Sequence, residues 1–159
     1  MLEIVQLFIQ RKEFFMNLLY QHLQISFISI VLAILIGGLI GIFMSEYKKI
    51  SKPFMSIINF VYTIPSISML GFLIPLSGVG NTTAIALVIY ALLPMVKNTY
   101  TGMEQVDKKM IEAATGLGST RFQVLWKIKF PLALPVIMAG IRSMAIMTIA
   151  LAGIASFIG

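Results

Sequence analysis

Long uncharged runs alternate with short polar segments along this chain. From Leu23 to Ser45, 23 consecutive residues carry no charge, and about 20 apolar residues are enough for an α-helix to cross a bilayer. Three further apolar runs cover residues 53–76, 82–96 and 132–158. The pattern therefore predicts an all-α fold, a transmembrane helical bundle with about four spans.

Two of these runs contain residues that change how a helix can pack. The first carries "IGGLIG" (36–41), which is either a site for the close approach of another helix or merely a flexible stretch. The second carries Pro65, Gly71 and Pro75. Because proline removes a backbone donor from a helix, we expect the second span to be kinked or broken.

The one long polar segment covers residues 97–131. It predicts two short helices separated by a break. Asp107 can cap the first helix, because a side-chain oxygen there accepts from free backbone N–H groups. Gly116 and Gly118 are expected to end it, because glycine tolerates the left-handed conformation of a helix C-cap. One face of this helix would carry Ile111, Ala114 and Thr115.

The second short helix begins with "TRFQ" (120–123), which fits a capping box. Its sequence is amphipathic, with Phe122, Leu125, Trp126 and Lys129 in helical order. Such a helix either contacts a protein partner or lies on the bilayer with Trp126 and the lysines among the headgroups. Pro131 marks the return to the membrane.

Composition supports a membrane protein. The chain is 58% hydrophobic and 11% charged, with no cysteine and one histidine, His22, at the edge of an apolar run. Soluble domains have about 25% charged residues. The absence of cysteine excludes disulfides and thiol chemistry. The net charge of +6 comes largely from two short segments between spans, so membrane topology explains it without a nucleic-acid partner.

The basic residues also predict an orientation. Residues 45–53 contain three lysines, residues 97–131 contain six Lys or Arg, and the turn at 77–81 contains none. Basic loops stay in the cytoplasm. Both basic segments are therefore predicted to be cytoplasmic, with the turn and the N-terminus outside.

The sequence argues against several other functions. "GLGST" (116–120) lacks the spacing and the lysine of a phosphate-binding loop. The chain also lacks a plausible nucleophile–base pair or metal cluster for an enzyme. A channel or ion-coupled secondary transporter remains the alternative to an ATP-driven one. It would need acidic residues within the spans, and the predicted spans contain none.

The segment "EAATGLGSTRFQVLWKIKFP" (112–131) resembles the EAA loop of ABC-transporter permease subunits. The pattern is Glu-Ala-Ala, three residues, Gly, nine residues, then Ile-x-Leu-Pro. The matching positions are Glu112, Ala113, Ala114, Gly118, Ile128 and Pro131. Phe130 stands where leucine is usual. From about residue 17 onward, the chain is also similar to permeases of binding-protein-dependent importers for glycine betaine, carnitine and choline.

The resemblance implies a bacterial plasma-membrane permease with the fold of type I ABC importers. Residues 1–159 would form one partial permease domain that stops before a fifth span. The coupling loop, about 97–131, would dock on a cytoplasmic ATPase subunit that holds ATP and Mg; the permease itself would have no cofactor. Glu112 would contact the ATPase, Ala113 and Ala114 would allow close approach, and Gly118 would make the turn.

The resemblance also implies further partners. These are a second permease copy, an extracellular or periplasmic substrate-binding protein, which some relatives carry as a fused domain, and membrane lipid. The substrate would be a small zwitterion or quaternary amine, with ergothioneine and other betaine-like solutes among the possibilities.

Five residues within the spans are candidates to line a substrate pathway: Tyr62, Ser66, Met69, Tyr90 and Arg142. Aromatic faces bind quaternary ammonium groups well. Tyrosine is also common at membrane interfaces, and methionine is an ordinary core residue. Arg142, well inside the last apolar run, either faces a pathway or serves the helix bundle by reaching toward the headgroups.

Overall fold

The computed structural model describes residues 2–156, in which all the regular structure is helical. In chain order the elements are α1 (Leu2–Gln10), α2 (Lys12–Glu46), α3 (Lys48–Thr63), α4 (Ser66–Ser77), α5 (Val79–Glu104), α6 (Lys108–Gly116), α7 (Arg121–Val124), a π-helical turn (Leu125–Lys129) and α8 (Phe130–Ala155).

Three helices are long and apolar enough to cross a membrane, namely α2, α5 and the continuous helix Arg121–Ala155. Helices α3 and α4 reach that length only together, and they meet at an angle of 97°. If this bent pair is one span, the total is four. The predicted all-α bundle with a broken second span is confirmed.

The helix ends differ from the predicted span ends. Helix α2 starts at Lys12 rather than near Leu23, and α5 covers Val79–Glu104 rather than 82–96. Lys97 therefore lies within a membrane helix and not in a loop. The difference arises because the backbone hydrogen bonds of a helix continue through polar residues, so the ends of an apolar stretch do not set the ends of the helix.

Helix α5 is the centre of the bundle. It packs against α2, α3, α4 and α8. The largest fully buried apolar side chains are Met44, Leu70, Leu87, Met95, Met103 and Met144. Since α5 contributes three of these six, most of the core forms around this helix.

Glycines let α2 and α5 approach closely. A Cβ atom on Gly37 would lie 3.0 Å from the Met95 Cβ, and one on Gly41 would lie 2.6 Å from the Thr99 Cβ and 2.9 Å from the Val96 carbonyl oxygen. The "IGGLIG" segment is therefore a helix-packing site, as one of its two interpretations predicted.

Glycines also allow α5 and α8 to approach closely. A Cβ on Gly140 would overlap the Asn98 Cβ, and one on Gly102 would lie 3.2 Å from the Ala133 carbonyl oxygen. Helices this close gain van der Waals contact along their backbones. Two glycine-dependent interfaces therefore hold α5 between α2 and α8.

The break between α3 and α4 falls at Ile64 and Pro65. Pro65 has no N–H to continue the helix, and an unpaired backbone carbonyl is costly within a membrane. The hydroxyl of Tyr90, on α5, donates a hydrogen bond to the Ile64 carbonyl oxygen. Tyr90 is buried, so this bond compensates the break from inside the bundle.

Two ion pairs connect the helix ends on the side of the polar segment. Lys129 pairs with Glu46 at the end of α2, and its side chain is only 11% exposed. Lys48 pairs with Glu104 at a distance of 3.2 Å, with side-chain exposures of 65% and 30%. The first pair joins the π-helical turn to α2, and the second joins α3 to α5.

We expect Gly41→Ala to destabilise the bundle by about 1–3 kcal/mol, because the added Cβ would meet Thr99 and the α5 backbone rather than a movable side-chain end. The matched control is Gly38→Ala, whose Cβ would sit 3.6 Å from the Met95 Cε, an ordinary contact. Unfolding of the purified proteins in detergent measures both. Equal stability of the two variants would contradict the close-packed interface.

Lys129→Met should cost about 2–3 kcal/mol of unfolding free energy, because it leaves the Glu46 carboxylate unpaired at a partly buried position. Lys48→Met should cost less than about 1 kcal/mol, since that pair is largely exposed. Reversing the first pair, with Glu46→Lys and Lys129→Glu together, should recover much of the loss in detergent unfolding. If the double variant loses as much stability as Glu46→Lys and Lys129→Glu lose in sum, the two side chains do not form a direct ion pair.

Candidate functional site

Helix α6 is a short helix with defined ends. The Asp107 carboxylate accepts a hydrogen bond from the Lys109 backbone N–H at 2.9 Å, so the predicted N-cap is present. At the other end, the Gly118 N–H donates to the Thr115 carbonyl and the Ser119 N–H donates to the Ala114 carbonyl. These two bonds form a Schellman motif, which closes the helix with a glycine.

Gly118 is the glycine that ends α6. Its φ of +86° lies in the left-handed region, which a residue with a side chain adopts only at a cost. Gly116 is the last residue of α6 and does not have a positive φ. The expectation that both glycines make the cap is therefore corrected to Gly118 alone.

The second short helix of the loop does not stand apart from the membrane helix. The predicted capping box is present, with the Thr120 N–H donating to the Gln123 side chain at 2.8 Å and the Gln123 N–H donating to the Thr120 hydroxyl oxygen at 3.3 Å. From Arg121 the helix then continues to Ala155. Membrane helices thus extend into the predicted loop of 97–131 from both ends. The part that belongs to neither of these two helices is 105–120.

A π-helical turn joins α7 to the last span. It covers Leu125–Lys129 and ends two residues before Pro131. Proline in a regular helix would clash with the carbonyl four residues earlier, and a wider π turn relieves such crowding. Ile128 is half-buried in this turn, Pro131 is exposed, and Lys129 is buried against Glu46 rather than lying among headgroups.

The EAA-type residues of α6 differ in exposure. Glu112 and Ala113 are exposed, whereas Ala114 is buried within the chain. Ala113 is thus accessible to another molecule. Ala114 instead allows α6 to pack closely against the rest of the chain.

Leu117 is a residue that sequence reasoning missed. Its exposed fraction is 89%, the highest among the exposed large apolar side chains, and it lies at the tip of the turn between α6 and α7. Exposed apolar side chains at a tip are typical of contact sites. An available signal was the leucine between two glycines in an otherwise polar segment.

A polar cavity of about 330 Å³ lies between α6 and the bundle. Its charged lining residues are Glu46, Lys48, Glu104, Lys108, Glu112 and Lys129. Both ion pairs described above belong to this lining. A change in the position of α6 therefore acts on the charged ends of α2, α5 and the π-helical turn.

Three of the five pathway candidates come together. Tyr62, Ser66 and Tyr90 line one cavity of about 300 Å³ beside the α3–α4 break. The Tyr62 hydroxyl donates to the Met147 sulfur at 3.3 Å. Met69 is instead part of the apolar core, and Arg142 is exposed and does not line this cavity.

A second cavity of about 290 Å³ contains polar residues that sequence reasoning did not select. Tyr62 lines this cavity too, and its other polar lining residues are Asn59, Lys97, Asn98 and Ser143. Because the sequence pattern assigned Lys97 to a loop, Lys97 was not among the candidates to line a cavity. Within residues 2–156, no cluster of three or more His, Cys, Asp or Glu side chains is suited to hold a metal ion.

The chain is similar to known transport proteins. Residues 29–159 match the family described as "binding-protein-dependent transport system inner membrane component". A choline transport system permease protein of Bacillus subtilis is 43% identical over 141 residues, which are 88% of this chain and 65% of that protein. A glycine betaine/carnitine/choline transport system permease protein of the same organism is 43% identical over 140 residues, 87% of this chain and 64% of the relative.

A third relative combines two functions in its name. The ergothioneine transport permease/ergothioneine binding protein of Helicobacter pylori is 40% identical over 129 residues, which are 80% of this chain and 23% of that protein. The chain thus spans just under two thirds of the length of the two Bacillus relatives. Because the family match covers most of the chain and the apolar helices agree with it, this multi-pass membrane protein belongs to the family of binding-protein-dependent transport system inner membrane components.

Proposed function

We propose that this chain is the membrane-spanning permease subunit of an ATP-driven importer for a small zwitterion or quaternary amine. Glycine betaine, carnitine and choline are the leading candidates, since these names occur among its relatives. ATP and Mg are held by a separate cytoplasmic ATPase subunit. A second permease copy and an extracellular or periplasmic binding protein, separate or fused, complete the transporter.

The observation that carries this proposal is the shape of the α6 region. A short helix with a capped start and a glycine-closed end leads into a turn with an exposed apolar tip, Leu117. Such a tip can enter an apolar groove on a partner. Glu112 and Ala113, both exposed on α6, would contact the same partner.

Coupling follows from how α6 connects to the spans. When ATP closes the ATPase dimer, α6 moves with the groove that holds it. Because α6 leads through Gly118 into one continuous helix that ends at Ala155, the motion passes directly to the last span. The charged cavity beneath α6 transmits it to α2 and α5. The result is a change from inward-facing to outward-facing access.

The proposed orientation rests on the lysines. Lys48, Lys49 and Lys52 lie on the same side of the bundle as the α6 region, as the Lys48–Glu104 pair requires. Positive charge favours the cytoplasm. We therefore propose that α6 is cytoplasmic in a bacterial plasma membrane, that the α4–α5 turn is outside, and that the N-terminus is also outside.

The placement of acidic residues argues against an ion-coupled transporter. The acidic residues of the described membrane helices are Glu13, Glu46 and Glu104. All three lie at helix ends, and two of them pair with lysines. An ion-coupling site needs a carboxylate within the membrane.

The aromatic cavity fits the proposed substrate class. Tyr62 and Tyr90 line it together with Ser66, at a break in the α3–α4 span. An aromatic ring face attracts a quaternary ammonium group by about 0.5–2 kcal/mol. We propose that the substrate passes these tyrosines on its way through the bundle; Met69 and Arg142, the other two candidates, serve the fold in this proposal.

Gly118→Leu should lower ATP-driven uptake by about tenfold while leaving membrane insertion intact, because a left-handed backbone conformation costs a residue with a side chain about 1–2 kcal/mol. Gly116→Leu is the matched control. A Cβ at either glycine meets nothing within 4 Å, and only Gly118 has a positive φ. Uptake in proteoliposomes, normalised to inserted protein, measures the difference. Normal uptake by the Gly118 variant would refute the coupling role of this turn.

Leu117→Asp should abolish co-purification of the permease with its ATPase, because a carboxylate would have to be buried in an apolar groove. Glu112→Lys should weaken the complex without abolishing it. The control is Met110→Asp, which changes a less exposed apolar residue of the preceding helix α6, 49% against 89%. Retention of the ATPase by the Leu117 variant would rule out the tip as the docking site.

A further inference from the structure

Two cavities of similar size follow one another along α5 and share a wall. The aromatic cavity lies at the level of Tyr90, and the polar cavity lies at the level of Lys97, seven residues further on. At 1.5 Å per residue this separation is about 10 Å. Tyr62 lines both cavities. One side chain therefore borders both cavities.

The polar cavity is rich in hydrogen-bond donors. Lys97 supplies an ammonium group with three N–H donors, and Asn59 supplies an amide. The Asn98 amide nitrogen donates to the Pro94 carbonyl oxygen at 2.8 Å, which leaves its second N–H available. The close approach of Gly140 to Asn98 holds this residue in position. Such a set of donors suits a carboxylate.

Lys97 has no carboxylate partner among the side chains that the structure describes. No acidic side chain in residues 6–156 forms an ion pair with it, and the nearest acidic residue along α5, Glu104, pairs with Lys48. A cation at this place in a membrane helix repels other cations and attracts anions. The cavity is therefore unfavourable for a substrate that carries positive charge alone.

Tyr62, which lines both cavities, links the two complementary parts of the site. The Tyr62 ring offers an aromatic face, and its hydroxyl is held by the bond to the Met147 sulfur. A quaternary ammonium against Tyr62 and a carboxylate directed toward Lys97 would satisfy both parts of the site. We propose that the polar cavity binds the carboxylate of a zwitterionic substrate, so that the permease selects zwitterions over amines without a carboxylate. This inference rests on the proposed importer function and adds a substrate class to it.

The test uses two ligands that differ in one group. Glycine betaine and choline share the trimethylammonium group, and only glycine betaine has a carboxylate. The chain contains no cysteine, so a single Ser143→Cys substitution places one thiol on the cavity wall. The rate at which N-ethylmaleimide alkylates this thiol in membranes containing the whole permease reports whether the cavity is occupied. It needs neither ATP nor transport.

We expect glycine betaine to slow this alkylation at least about fivefold, while choline at the same concentration and ionic strength does not. Adding Lys97→Met should remove the protection, and adding Lys97→Arg should retain it, because the positive charge is kept. The control thiol is Ser56→Cys, on an exposed face of α3 and outside the cavity lining; its alkylation should not respond to either ligand. Equal protection by both ligands, or none by glycine betaine, overturns the proposal.

Uptake by the complete transporter separates this inference from the proposed function. With saturating binding protein, Lys97→Met should lower the ratio of glycine betaine to choline uptake by about tenfold, as expected when a hydrogen bond to a charged group is lost. Lys49→Met, an exposed lysine of α3, should leave the ratio unchanged. An unchanged ratio in the Lys97 variant counts against the site. Carboxylate-dependent protection without any ATP-driven uptake would support the site and refute the importer function.

Discussion

The close approach of α5 to its two long neighbours is the constraint on which the rest of the structure depends. Within a lipid bilayer the hydrophobic effect does not drive helices together, so packing must come from direct contact. Glycines provide that contact on both sides of α5, at Gly37 and Gly41 of α2 and at Gly140 of α8. A side chain at any of these positions would separate the helices and open the core that forms around α5.

With α5 held in place, the broken α3–α4 span becomes stable. At the break, the Ile64 carbonyl oxygen accepts a hydrogen bond from the Tyr90 hydroxyl. Tyr90 reaches this carbonyl because α5 lies at the centre of the bundle. The bend turns α4 away by 97° and leaves room beside α3. The aromatic cavity lies at this bend, where Tyr62, Ile64 and Ser66 line it. The break at Pro65, compensated by one hydroxyl, thus forms part of the wall of this cavity.

The opposite end of the bundle is built from charge rather than from close packing. Lys129 and Glu46 join the π-helical turn to α2, and the cavity beneath α6 is lined by both of the ion pairs. The largely exposed Lys48–Glu104 pair can rearrange at lower cost than an apolar core, because water replaces a lost partner. This end therefore suits a moving contact, whereas the glycine interfaces suit the rigid part of the molecule.

Much of this architecture was determined by the sequence alone. The lengths of the apolar runs predicted the spans, Pro65 predicted the break, and the Asp107 and Thr120 caps were predicted correctly, because each depends on residues a few positions apart. The tertiary structure decided what depends on distant residues. It showed that Lys97 belongs to a helix and lines a cavity, that Lys129 is buried against Glu46, and that Met69 is a core residue. Local pattern cannot reveal these, since each is set by which helix packs beside which. The packing of α2 on α5, for example, depends on two glycines of α2 whose contacts lie more than fifty residues further along the chain.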